Sequence, residues 1–85
     1  MPTKELLFIP KIIWDSGLKF EEIGVIASAM TVSKDDVFTE DDLEKTFSEK
    51  DAPIARESLR TLESKQLIQN IGQKTWRLNF TFYKG

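Results

Sequence analysis

Residues 53–68, PIARESLRTLESKQLI, govern how the rest of this 85-residue sequence is read. Pro53 suits a first helical turn, where its missing amide hydrogen would have had no intrahelical partner, and Asp51 just before it is a candidate cap. Stepping roughly 100° per residue from Ile54 places Ser58, Leu62, Ala55 and Leu59 within an arc of about 140°, which predicts one core-facing side. Arg56 and Arg60 fall at roughly 200° and 240° on the same wheel and point away from that core. Such a helix either reads DNA or simply meets water with its charged face. The flanking sequence has to choose between these.

After Lys65 the apolar period drops to two. LIQNI and TWRLNFTFY are strand-like runs joined through Gly72, Gln73 and Lys74. In the second run Trp76, Leu78, Phe80 and Phe82 share one face, while Thr75, Arg77, Asn79, Thr81 and Tyr83 share the other. Working back toward the amino terminus, VFTEDDLEKTF predicts a short helix over 40–47. Thr39 is its N-cap, Asp42 reaches back, and Phe38 and Leu43 sit where a hydrophobic staple needs them. Three acids in its first turn suit the helix dipole. Upstream of the polar turn SKDD, Ile23, Ile26, Ala27 and Met30 recur at helical spacing and predict a helix over 19–32. KIIWD reads as a helical turn stopped by Ser16-Gly17. KELLFI reads as a short extended run closed by Pro10, which disfavours helix at Ile9.

Three helices, a C-terminal β-hairpin and a short N-terminal strand make an α+β winged helix-turn-helix, filling residues 1–85 as a single domain. The expected core takes Ile23, Ile26, Met30, Leu43, Phe47, Ile54, Leu59 and Leu62 from the helices, covered by Leu67, Trp76 and Leu78 of the hairpin.

Composition bounds the chemistry. The chain is 40% apolar and 31% charged, which is ordinary for a globular domain rather than a disordered one. It has no cysteine and no histidine, removing disulfides, thiolate sites, the commonest general base and the commonest zinc ligand together. Adjacent acids such as Glu21 with Glu22, or Asp41 with Asp42, point in different directions on a helix and sit among polar neighbours, so no catalytic carboxylate pair is expected. The glycines, at 17, 24, 72 and 85, are too scattered for a phosphate-binding loop. These features predict a non-enzymatic protein without cofactor or metal. The apolar runs are too short to span a membrane, and the first residues lack the apolar stretch and cleavage site of a signal peptide, so a cytoplasmic location is expected.

The net charge of −2 conceals a split. Residues 1–47 sum to −5 and residues 48–85 to +3, with no acid after Glu63. One face suited to an anionic partner on an otherwise acidic body is the physical implication.

FIPKIIWDSGLKFEEIGVIASAM, followed by IARESLRTLESKQLI and an aromatic strand, resembles the winged-helix domain that opens DnaD-like replisome organisers and related phage or plasmid replication initiators of Gram-positive bacteria. The resemblance is carried by Phe8 to Pro10, by Leu18 and Glu22, and by the spacing Ile54, Leu59, Leu62, Leu67, Ile68. Initiators of this kind usually continue into a second, larger domain, and none is present in these 85 residues, a departure from the family pattern. The resemblance implies a role in replication or regulation, in which the domain contacts DNA, or associates with itself and docks other replication proteins.

Under the DNA expectation, Arg56 and Arg60 contact base edges, because a guanidinium pairs bidentately with guanine. Lys50, Lys74 and Arg77 meet phosphates, with Gln73 as a neutral donor beside them. Glu57 and Glu63 flank Arg60 at three residues' distance, where weak surface pairs form and where two acids repel a duplex. The interaction expectation uses an aromatic surface of Phe8, Trp14, Phe80, Phe82 and Tyr83, through which a homodimer forms or a replication protein docks. The same aromatics could instead complete the core of a small domain. DDVFTEDDLE could also serve as an acidic face for a basic partner, although helix capping already accounts for most of its acids.

Overall fold

In the computed structural model, which describes residues 9–82, the elements run α1 (Lys11–Trp14), α2 (Phe20–Val32), β1 (Val37–Thr39), α3 (Glu40–Glu44), α4 (Ala52–Ser64), β2 (Ile68–Gly72) and β3 (Thr75–Leu78). Four helices and a three-stranded antiparallel sheet, in the order β1-β3-β2, form an α+β domain. The expected strand over KELLFI falls outside the described residues except for Ile9, which is in no strand.

The third strand of the sheet is instead Val37–Thr39, which sequence patterning assigns to the approach to a helix. Three residues are too few to show a period. What makes them a strand is the turn before them. Lys34 and Val37 exchange backbone hydrogen bonds of 2.8 and 3.0 Å around Asp35 and Asp36, whose φ angles are 53° and 65°. That two-residue, left-handed turn turns the chain back antiparallel, and Val37, Phe38 and Thr39 then pair with Arg77, Trp76 and Thr75.

Each helix starts for a local reason. At α2 the Lys19 amide donates to Glu22 Oε1 at 2.9 Å, so Glu22 reaches back although Lys19 offers no capping oxygen. At α3 the expected cap forms, with the Asp42 amide donating to Thr39 Oγ1 at 3.1 Å. At α4 the Asp51 side chain caps nothing; Ser48 holds the start instead, its carbonyl accepting from the amides of Asp51 and Ala52 at 3.0 and 2.9 Å.

The helix expected over 40–47 stops at Glu44. Thr46 and Phe47 donate to carbonyls three residues back rather than four, and the Thr46 hydroxyl also takes the Leu43 carbonyl.

The core is one cluster in which Ile13, Val25, Ile26, Ala29 and Met30 meet Phe38, Leu43, Ala55, Leu59 and Leu62, closed by Leu67, Ile68, Trp76 and Leu78. The buried side of α2 is therefore Glu22, Val25, Ile26, Ala29 and Met30, with Ile23 and Ala27 half-buried at its edge. On α4 the buried side is Ala55, Ser58, Leu59 and Leu62; Ile54, expected in the core, is 47% exposed. Ile54 marks one end of the wheel arc and lies at the rim of the packed face, whereas Ser58, one turn on, is buried. Phe47 is half-buried rather than central.

The long aromatic strand is also shorter than its alternation predicts. The Leu78 amide donates to the Asp36 carbonyl at 2.7 Å and the Asn79 amide to the Leu67 carbonyl at 2.9 Å, and beyond these no strand pairs with the segment among the described residues. Residues 79–82 leave the sheet. Phe80 and Phe82 then fold half-buried against the core, their ring centroids 6.0 Å apart.

Candidate nucleic-acid interface

The outward side of α4 and the inner side of the β2–β3 hairpin enclose an open groove of ≈ 660 Å³. Arg56, Glu57, Arg60 and Glu63 of α4 form one wall, and Asn70 of β2 and Trp76 of β3 the other, with Glu40 of α3 at its end. Helical spacing puts the four charged side chains of α4 on one exposed face, because the opposite face is spent on Ala55, Ser58, Leu59 and Leu62.

The charges in this groove are not equivalent. Arg56 Nη1 lies 2.9 Å from Glu44 Oε1, both side chains remaining partly exposed. An ion pair so placed contributes little stability, about 0.2–1 kcal/mol, and gives way readily to a stronger anion. Glu40 Oε2 accepts from the Trp76 indole N–H at 2.9 Å. Glu63 does not pair with Arg60, as its spacing suggests; its Oε2 accepts from the Asn70 amide at 3.3 Å, covering an outward N–H of the edge strand β2. Arg60 and Glu57 have no hydrogen bond or ion pair among the described residues.

The other expected DNA contacts spread around this groove rather than into it. Lys50 is exposed in the turn before α4. Gln73 and Lys74 form the exposed tip of the hairpin, where the positive φ falls on Lys74 (54°) rather than on Gly72, and a bulge after Asn70 shifts the register. Arg77 lies on the opposite face of the sheet from Trp76 and Leu78, and its Nη2 donates to Gln69 Oε1 at 2.9 Å. Arg56 and Arg60 thus share one site with each other but not with Arg77.

The expected aromatic surface divides as well. Phe8 and Tyr83 lie outside the described residues, and Phe80 and Phe82 are half-buried against the core. Trp14 is 56% exposed on α1. Sequence patterning misses the most exposed aromatic among the described residues, Phe20, at 91% in the first turn of α2. On the α2 wheel Phe20 stands about 20° from Ala27 and about 60° from Ile23, at the edge of the expected apolar stripe, and only the burial of Val25 and Ala29 on the opposite side turns it outward.

Among the described residues, no three or more Asp, Glu, His or Cys side chains converge as a metal site, and no helix is long and apolar enough to cross a membrane. No protein-family model, curated protein or solved structure matches the chain.

Proposed function

We propose that this protein is a winged-helix DNA-binding module without enzymatic activity, in which α4 enters the major groove and the β2–β3 hairpin is the wing, and that it serves phage or plasmid replication or regulation. The observation that carries this is the order β1-β3-β2 with β1 inserted between α2 and α3. In that arrangement the hairpin lies beside α4, and the arginine-bearing face of that helix opens onto the groove between them. A helix in a major groove flanked by a basic tip on the backbone is a known way to combine base readout with phosphate positioning. The acid-free stretch after Glu63, with Lys65 before the hairpin and Lys74 at its tip, supports the same orientation.

Titration of labelled duplex DNA at two salt concentrations tests the proposal. Binding that weakens steeply with salt is expected, and no binding even at low salt overturns it.

The exposure of Phe20 and Trp14 favours a second reading, in which the protein self-associates or docks a replication protein. Sedimentation distinguishes it: a dimer dispersed by Phe20→Ser supports association, and a monomer that binds DNA leaves the first reading alone.

A further inference from the structure

We propose that Arg60 and Glu57 together read a G·C base pair, so that duplexes carrying G·C at the centre of the site are bound in preference to A·T duplexes. This rests on the DNA-binding reading above and adds to it the chemistry of the base edge.

Three of the five charged side chains around the groove already have a partner, Arg56 in an exposed ion pair that a phosphate can displace. Glu40 holds the Trp76 indole, Glu63 covers the Asn70 amide, and Arg56 pairs with Glu44. Asn70 is committed too, its Nδ2 donating to the carbonyls of Gly72 and Thr75 at 3.0 and 3.1 Å, so it is not free to recognise adenine. Arg60 and Glu57 remain, exposed and unpaired among the described residues, three positions apart on one helix face. They place a forked donor beside an acceptor.

That pairing is unsuited to a phosphate, which the carboxylate would repel. It suits an edge with two neighbouring acceptors followed by a donor. In the major groove, guanine offers N7 and O6 as the acceptors, and its partner cytosine offers the N4 amino group as the donor. An A·T pair sets the adenine amino group where the guanidinium needs its second acceptor, and sets thymine O4 and its methyl group where the carboxylate needs a donor. Glu57 therefore acts as a specificity element rather than as a cost to DNA binding.

The test uses the full chain and fluorescence anisotropy on two duplexes of equal length, one with G·C pairs at its centre and one of mixed A·T sequence without A-tracts. The expected preference for the G·C duplex is about tenfold or more. Arg60→Ala should bring the two affinities together. Glu57→Gln should move the preference at that position toward adenine, whose N6 and N7 a glutamine amide matches. Both positions are exposed, and circular dichroism checks that the variants fold. Equal, salt-dependent affinity of the unaltered protein for both duplexes overturns the base-reading inference and leaves the DNA-binding reading standing. A preference that survives Arg60→Ala overturns it also. Failure to bind either duplex at low salt overturns both.

Discussion

The indole N–H of Trp76 donates to Glu40 Oε2 at 2.9 Å, tying the central strand of the sheet to the first residue of α3 across 36 positions of sequence. The Glu40 amide also donates to the Lys74 carbonyl at 2.9 Å, so this residue clasps the hairpin twice. One wall of the groove is thereby held to its end. Glu40→Ala leaves the nearly buried indole N–H without its partner, and a loss of about 1–2 kcal/mol is expected in urea denaturation. Glu40→Gln retains an accepting oxygen and should recover most of it. An alanine variant as stable as the parent would show that the clasp contributes nothing.

The left-handed residues of the turns give an expectation of the opposite sign. Asp36 and Lys74 have φ of 65° and 54°, a conformation that glycine adopts without steric penalty. Asp36→Gly and Lys74→Gly should each stabilise the fold by about 0.5–1 kcal/mol, visible as raised denaturation midpoints. Lower midpoints would mean that the turn side chains support the fold in another way.

Burial on α4 separates Ile54 from its neighbours. Leu59 is 1% exposed and Ile54 47%. Leu59→Ala should cost about 2–4 kcal/mol through lost burial and a cavity, whereas Ile54→Ala should cost well under half as much. Equal costs for the two would return Ile54 to the core.

The pair between Arg56 and Glu44 predicts how the proposed DNA binding responds to charge. Arg56→Ala and Lys74→Ala should each reduce the salt dependence of duplex affinity by about one phosphate contact. Glu44→Gln should tighten binding, because it releases Arg56 and removes an acid beside the helix. Unchanged slopes in both cation variants would place the backbone contacts elsewhere.

Much of this fold is legible in local sequence, because local physics determines it. The Thr39 cap, the Pro53 start, the buried Leu59 and Leu62, the outward Arg56 and Arg60 and the turn at Gln73-Lys74 all follow from periodicity and from backbone chemistry within a few residues. Other features depend on partners distant in sequence. Val37–Thr39 becomes a strand only because β3 lies beside it, and TWRLNFTFY stops being one at Leu78, where its paired neighbours among the described residues end.

The groove depended on the tertiary structure in the same way. From spacing alone, Glu63 belongs with Arg60 and Glu40 belongs to a helix dipole. In the folded chain Glu63 turns to the Asn70 amide and Glu40 to the Trp76 indole. Sequence by itself determined which faces of the helices carry charge, since that is set by a repeat of 3.6 residues. Only the packing of the hairpin against α3 and α4 decided which of those charges are already satisfied, because a hydrogen bond forms between groups that meet in space, whatever their separation along the chain.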